Sequence, residues 1–352
     1  MAPTRPLAPG RLPNMQPAPA SPAAAAQPAG HAKEVQEPGI SGAPGSAQAA
    51  PSLLEGLQRP TMASPDLQAF RARILKEWTA DLTVDGWRKW HTPIARATAE
   101  VSQLIVPAGD IKPGMRVLDL ASGSGEPAFT LAHAVGPAGH VVASDLGQGM
   151  LGIAEAQAAQ HGVKNMTFKQ ANMEALPFPD NSFDRVTCRW GLMFVPDHVQ
   201  ALREIDRVLK PGGKVVIVAW GPLMQPFFAG PRALKKLGLL PTPPVGAHTP
   251  FKFSEPGTLT TAMSQAGLRG IKESAEQSGF NWPGTPETFF QWFYDIAAPF
   301  RPLFDSLDPK TFEAVTQEIY AIARPHVDGD MLRLGAQVVV GVADCSKPPD
   351  AP

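Results

Sequence analysis

Two acidic residues and two glycines stand at a spacing that suits the binding of a nucleoside. The segment 117–128 (VLDLASGSGEPA) reads as a short apolar strand, a turn with Gly123 and Gly125, and the start of a helix. Glycines let the chain turn sharply and approach a ligand closely, and a helix start offers free N–H groups. Asp145 ends the next apolar run, where a carboxylate can accept hydrogen bonds from both hydroxyls of a ribose. The pattern therefore predicts a nucleotide- or nucleoside-binding turn.

The same turn fits a nicotinamide dinucleotide, because Gly123, Gly125 and Ala128 satisfy the pattern G-x-G-x-x-A. Asp119 and Glu126 argue against that ligand, since both carboxylates would repel a diphosphate. An ammonium group on the ligand gives Asp119 a purpose. The chain also lacks a Tyr-x-x-x-Lys pair, because neither of its two tyrosines is followed by such a lysine. An NAD(P)-dependent reductase and a non-catalytic nucleoside-binding protein of the same fold remain alternatives.

Apolar runs and helical periodicities alternate through the middle of the chain. This alternation predicts a parallel sheet with helices on both faces. The fold class is therefore α/β: a Rossmann-like, doubly wound, mostly parallel seven-stranded sheet with helical cap insertions. The predicted strands are 116–120, 140–145, 166–170, 184–188, 214–220, 271–278 and 337–343, and the helices before them are 66–80 and 93–105.

Composition separates an N-terminal tail from the rest, since residues 1–60 hold 12 prolines and 14 alanines. Such a stretch buries too little apolar surface to offset its ordering entropy, so a disordered tail is predicted. The predicted divisions are 1–62 (tail), 63–106 (N-terminal cap helices), 107–222 (binding core), 223–346 (C-terminal part of the sheet with a helical lid) and 347–352 (short tail).

The overall charge of -1 gives no electrostatic reason to expect nucleic acid or an anionic membrane as a partner. No apolar run is long enough to predict a membrane span. Cys188 and Cys345, the two cysteines, lie far apart and form no ligand cluster, so no metal is expected. We expect a cytoplasmic protein with a small-molecule partner, and the oligomeric state is left open.

Four blocks between residues 110 and 220 occur in order: VLDLASGSGEPAFTLA, SDLGQGML, NMEALPFPDNSFDRV and ALREIDRVLKPGGKVVI. Together they resemble class I S-adenosylmethionine-dependent methyltransferases, especially the group with the ubiquinone/menaquinone-biosynthesis C-methyltransferases. The resemblance implies methyl transfer with S-adenosyl-L-methionine as cofactor. It implies that Asp119, Ala121, Gly123 and Gly125 hold the methionine portion, Asp145 the ribose, and Leu146, Met150, Asn172 and Met173 the adenine, with Arg189 nearby.

The methyl acceptor is expected beyond the carboxyl ends of the fourth and fifth strands, where open α/β sheets bind ligands. Aromatic residues there indicate a small, aromatic or lipophilic acceptor that is methylated on oxygen or carbon. The candidates are Trp87, Trp90, Trp190, Met193, Phe194, Phe227, Trp292 and Tyr294.

A sulfonium methyl group is already activated, so the sequence need not contain a sharp catalytic motif. His91 and His198 are the candidates for a base if the acceptor must lose a proton. The helical segment before the last strand departs from the quinone enzymes, which predicts an acceptor of its own.

Overall fold

A computed structural model describes residues 64–242, 249–298 and 300–348, with side chains from residue 68 onwards. The tail predicted at 1–62 lies outside the described residues, as does most of the tail predicted at 347–352. Among the described helices, none is long and apolar enough to cross a membrane.

Five parallel strands form the centre of the sheet in the order β3-β2-β1-β4-β5. They are β1 (Arg116–Leu120), β2 (His140–Asp145), β3 (Met166–Gln170), β4 (Phe183–Arg189) and β5 (Leu209–Trp220). The apolar runs of β1, β4 and β5 are buried on both faces, as parallel strands between helices must be. The chain moves outward from β1 to β3 and then returns to β4, so the switch point lies between β1 and β4.

Two long antiparallel strands complete the sheet beside β5, giving the order β3-β2-β1-β4-β5-β8-β6. They are β6 (Arg269–Pro283) and β8 (Met331–Asp344), and the short β7 (Val327–Asp328) pairs with β8. The predicted seven-stranded, mostly parallel sheet is confirmed along this path. Both strands begin or end well beyond the predicted 271–278 and 337–343, because their outer halves alternate in burial and lack a continuous apolar run.

Three helices precede the sheet: α1 (Ser64–Thr79), α2 (Asp81–Ala97) and α3 (Ala99–Ala108). The predicted helix at 93–105 is wrong in its start, since Pro93 lies inside α2 instead of opening a helix. The break comes at Thr98, whose hydroxyl donates to the Ile94 carbonyl at 2.8 Å. A proline in a helical pattern favours a helix start, which explains the error.

The sheet separates two apolar layers, and helices cover each of them. The helices that follow β1 to β5 are α4 (Ala128–Val135), α5 (Gln148–His161), α6 (His198–Val208), α7 (Ala229–Lys236) and α8 (Thr258–Gln265). Gly162 ends α5 in the left-handed conformation, the C-terminal cap that the sequence predicts. The Asp197 carboxylate begins α6 by accepting a hydrogen bond from the Gln200 N–H.

The aromatic segment between β6 and β8 folds into helices, as its sequence predicts. They are α9 (Pro286–Ile296), α10 (Arg301–Asp305) and α11 (Pro309–Ala323). A Thr285–Thr288 capping box fixes the start of α9. Helices α2 and α9 pack against each other, and both reach the carboxyl edge of the parallel strands, where they cover the site described next.

Candidate cofactor and acceptor site

A cavity of about 660 Å³ opens at the carboxyl ends of β1, β2, β4 and β5. This is the crevice at the switch point of a doubly wound sheet, where such folds bind ligands. Its wall is polar along the glycine turn and the end of β2, and aromatic beyond the ends of β4 and β5. Most predicted site residues lie on this wall: Trp87, His91, Ala121, Gly123, Asp145, Leu146, Met150, Asn172, Met173, Arg189, Trp190, Phe194, Phe227 and Trp292.

Asp145 is held rigidly at the polar end of the cavity. One carboxylate oxygen accepts the Gly123 N–H at 2.9 Å and the other accepts the Gly147 N–H at 2.9 Å. Burial raises the pKa of Asp145, while these backbone N–H groups act to lower it. Each carboxylate oxygen has a further lone pair, so the group can still accept hydrogen bonds from a ligand.

Asp119 lies one layer behind the wall, in the middle of the sheet, and is fully buried. Its partner across the β1–β4 pair is Thr187, whose hydroxyl donates to one carboxylate oxygen at 2.6 Å. The other oxygen, Oδ2, is buried and has no hydrogen-bond partner. Burial raises the pKa of Asp119 to about 7, despite the hydroxyls of Thr187 and Ser122. An acid in this state favours a neighbouring cation over a diphosphate.

Gly125 is also absent from the cavity wall, and its contact with the methionine portion stays a prediction. Its φ is +118°, and a Cβ there would lie 2.1 Å from Cε2 of Phe129. The Phe129 ring therefore covers Gly125 and takes its place on the wall. Glycine is required here because any Cβ would overlap this ring.

The loop after β3 and helix α1 close the end where adenine is expected. Arg71 of α1 donates two hydrogen bonds to the Glu174 carboxylate, at 2.7 and 3.1 Å. Glu174 also accepts the Asp197 N–H at 2.9 Å, which ties the loop to the start of α6. Asn172 lines the cavity, and its Oδ1 accepts the Glu174 N–H at 3.0 Å. Its side-chain amide N–H groups have no partner among the described hydrogen bonds.

Arg189 joins the sheet to the cap at the border between the polar and aromatic parts. Its guanidinium donates to the hydroxyls of Thr98 and Ser102, at 3.1 and 2.8 Å, and to the Glu126 carbonyl at 2.6 Å. The same group lies 4.6 Å from the centre of the Trp190 ring. Burial lowers the pKa of Arg189, yet arginine keeps its charge in proteins. A buried cation is thus fixed beside the aromatic wall.

The aromatic wall is built on two stacked indoles. Trp190, at φ +59° after β4, stacks on Trp220 at 4.1 Å with 10° between the rings. Phe227 continues the layer at 5.2 Å from Trp220 and meets Trp292 of α9 at 5.6 Å. The indole N–H groups of Trp190 and Trp292 are buried without partners. A planar apolar ligand that carries hydrogen-bond acceptors fits such a wall.

Besides Asp119 and Gly125, four predicted residues do not reach the cavity, and each has contacts elsewhere. Trp90 donates its indole N–H to Asp295 at 2.7 Å. The remaining three are Met193, buried in the core on the α6 side of the sheet; Tyr294, whose hydroxyl donates to Asp305; and His198, which pairs with Lys252 at 3.0 Å. His91 is therefore the histidine of the two candidates that the structure brings to the site.

Sequence reasoning missed several wall residues, among them Trp78, Gly191 and Trp220. Gly191 is needed because a Cβ there would lie 2.4 Å from that of Ala121. Trp220 ends β5, so its place at the carboxyl edge was readable from the sequence. Trp78 lies on the apolar face of a predicted helix, but nothing local shows that this face meets the cavity.

The sequence profile of the ubiE/COQ5 methyltransferase family matches residues 100–242. This match confirms the family resemblance predicted from the sequence. Similar curated proteins are the ubiquinone/menaquinone biosynthesis C-methyltransferases UbiE of Shewanella oneidensis and Shewanella baltica. Each is 47% identical over 108 residues, which cover 30% of this chain and 43% of the relative. The chain thus spans less than half the length of these UbiE relatives.

Solved structures resemble this chain more distantly. The YcgJ protein of Bacillus subtilis is 19% identical, with a TM-score of 0.45 over 71% of this chain and 98% of that one. The Haemonchus contortus phosphoethanolamine N-methyltransferase 2 is 17% identical, with a TM-score of 0.47 over 79% of this chain and 60% of that one.

Within the described residues there is no group of three or more histidine, cysteine or acidic side chains placed to hold a metal ion.

Proposed function

We propose that this protein binds S-adenosylmethionine and transfers its methyl group to an oxygen or carbon of a small, planar, largely apolar molecule. The observation that carries the proposal is the pair of buried carboxylates at the glycine turn. Asp119 has an oxygen with no partner, and Asp145 faces the cavity with its oxygens held by backbone N–H groups. A cationic nucleoside suits this pair, whereas a dinucleotide would bring its diphosphate towards both acids.

The chain's own residues have distinct tasks in this scheme. Asp145 would accept the ribose hydroxyls, and Asn172 would bind the edge of the adenine. Asp119 would compensate the ammonium through the thin wall of Ala121 and Ser122. When bound, S-adenosylmethionine supplies a methyl group already activated by its sulfonium. The protein then mainly has to orient the acceptor and exclude water, which is worth roughly 7–11 kcal/mol in well-aligned reactions.

The aromatic wall supports an acceptor with a flat apolar body. Trp190 and Trp220 present a stacked surface, and Phe227 and Trp292 close it from the side of α9. Aromatic faces also stabilise the positive charge of a sulfonium. Trp292 belongs to the segment between β6 and β8 in which the sequence departs from the quinone enzymes, so we propose an acceptor that differs from theirs.

Calorimetry with S-adenosylhomocysteine, the demethylated donor, tests the binding half of the proposal. We expect micromolar affinity for the wild type and at least tenfold weaker binding for Asp145→Asn, which keeps the shape but loses one acceptor. Asp184→Asn is the matched control. Asp184 lies outside the cavity wall and accepts a hydrogen bond from Lys210 at 2.7 Å. Folded wild-type protein that gives no heat with the ligand, or binds NADH instead, would remove the proposal.

The catalytic half needs an acceptor. Incubation with donor labelled in its methyl group and a metabolite extract, followed by mass spectrometry, identifies the product. Binding of S-adenosylhomocysteine without any labelled product would point to the non-catalytic alternative.

A further inference from the structure

Helix α2 places one of its faces along the whole length of the cavity. Trp87, His91 and Ala95 follow one another at intervals of four residues, and all three line the wall. Residues four apart lie on one face of a helix. Trp87 packs near Met150 on the donor side, and Thr98 at the other end binds Arg189. His91 therefore lies on the wall between the donor side and the border that Arg189 marks with the aromatic part.

Two tight packing contacts fix this helix in place. A Cβ on Gly149 would lie 2.9 Å from a methyl carbon of Val84, so α2 and α5 are in close contact. A Cβ on Gly86 would lie 2.6 Å from the Asp295 carbonyl oxygen, so the backbones of α2 and α9 also touch. The Asp295 carboxylate adds a hydrogen bond from Trp90 at 2.7 Å. The position of His91 is thus set by neighbours on both sides.

The hydrogen bond of His91 selects its tautomer. Nδ1 lies 2.8 Å from the Arg88 carbonyl oxygen. A carbonyl oxygen only accepts, so Nδ1 carries the proton of the neutral ring and Nε2 has the lone pair. Among the described residues, no hydrogen bond engages Nε2. A side chain on the cavity wall thus presents an unused proton acceptor.

The carboxylates on the wall already accept hydrogen bonds, and His161 is the other histidine of the wall. Both oxygens of Asp145 accept backbone N–H groups, and both oxygens of Glu174 accept hydrogen bonds from Arg71. Glu126 accepts a hydrogen bond from Thr130 at 2.8 Å through one oxygen, which makes it the competing base. The ionisable groups that share the wall or pack against α2 are Arg71, Arg88, Lys89, Arg96, Glu126, Asp145, His161, Glu174, Arg189 and Asp295.

We propose that Nε2 of His91 takes up the proton that the methyl acceptor loses, so that the acceptor is an O–H or C–H acid such as a phenol or an enol. This inference rests on the proposed methyl transfer. As the new bond from oxygen or carbon to the methyl group forms, the S–CH₃ bond breaks and its electron pair stays on sulfur. The proton of the acceptor moves to His91, so the products are the methylated acceptor, the thioether and a protonated imidazole. A tertiary amine or a thioether has no proton to lose and falls outside this class.

The tautomer is measurable without any acceptor. Two-dimensional ¹⁵N–¹H NMR of histidine-labelled protein shows which ring nitrogen carries the proton, and His91→Gln assigns the signal. We expect the Nδ1–H form, which is the less common one for histidine in water. An Nε2–H form would overturn the proposal at once.

Kinetics with the labelled donor and the acceptor found in the extract provide the second readout. His91→Gln should lower kcat by about 10²–10⁴-fold, as loss of a general base does. Its affinity for S-adenosylhomocysteine should stay within twofold of wild type, and added imidazole should restore part of the rate. His133→Gln, in the last turn of α4 and absent from the cavity wall, is the control.

The outcomes separate the two proposals. If the wild type does not bind S-adenosylhomocysteine, the proposed function itself is contradicted. Normal binding together with a wild-type rate for His91→Gln, or a collapse of the rate for Glu126→Gln alone, contradicts the role of His91.

Discussion

Replacing Asp119 by asparagine should change how the stability of the protein depends on pH. Asp119 is fully buried in the sheet, and burial raises its pKa to about 7 from an ordinary value of 3.8. At a pH between these two pKa values, Asp119 of the folded protein holds a proton that the unfolded chain has released. The contribution of this group to stability is therefore complete at low pH and is lost as the pH rises through about 7.

The size of the effect follows from the two pKa values of Asp119. Each pH unit in this interval is worth about 1.36 kcal/mol, so the full loss is about 4 kcal/mol, and about 3 kcal/mol of it falls between pH 5 and pH 8. Asparagine has no charge to bury and lacks this pH dependence. For a domain of this size, 1 kcal/mol corresponds to about 2 °C in Tm. The Tm of Asp119→Asn relative to wild type should thus rise by about 6 °C between pH 5 and pH 8.

Thermal unfolding of wild type and variant at the two pH values is the assay. Asp184→Asn serves as control: burial raises the pKa of Asp184, but hydrogen bonds from Lys210 and the Arg116 N–H outweigh it and lower the pKa overall. The contribution of Asp184 is therefore the same at pH 5 and pH 8, and its Tm gap should stay constant. A constant gap for Asp119→Asn as well would refute the reasoning, because it would mean that Asp119 is ionised in the fold at pH 5.

Arg71→Ala should speed the release of S-adenosylhomocysteine several-fold in stopped-flow experiments, and an unchanged release rate contradicts a closing role for α1. The variant should lose less than about 1 kcal/mol of stability, because the Arg71–Glu174 pair is partly exposed. Gly125→Ala should lower both Tm and donor affinity, because its Cβ meets the Phe129 ring at positive φ; wild-type affinity by calorimetry would speak against this. Trp292→Leu should lower the free energy of unfolding, measured with urea, by about 2 kcal/mol. It should also allow methylation of bulkier acceptors from an extract, and an unchanged set of products would be inconsistent with contact between Trp292 and the acceptor.

The parts of this fold that the sequence predicts are those encoded by neighbouring residues. The β1 strand, its glycine turn and Asp145 follow one another within a short stretch, and their geometry follows from local rules about strands and turns. The helix that ends at Gly162 is likewise set by a local signal. Asp145 and the turn therefore lie where the pattern puts them.

The parts that the sequence could not predict depend on packing between distant segments. Trp87 and Trp90 lie three residues apart on α2, yet Trp87 lines the cavity while Trp90 turns to Asp295, more than two hundred residues away. Local periodicity shows that both are apolar but not which neighbour each one meets. The sequence pattern predicts that Asp119 meets the ligand, yet Asp119 lies one layer deeper in the sheet, where Thr187 of the neighbouring strand donates to it.

The stacked indoles also determine the optical properties of the protein. Five of its seven tryptophans line the cavity, and the other two, Trp90 and Trp282, lie 5.6 Å apart and connect to it through Trp292. Rings as close as Trp190 and Trp220 couple electronically, so we expect this pair to contribute to the near-ultraviolet circular dichroism. Because both rings line the cavity, we expect a molecule that enters this space to change that signal and so to report its own binding.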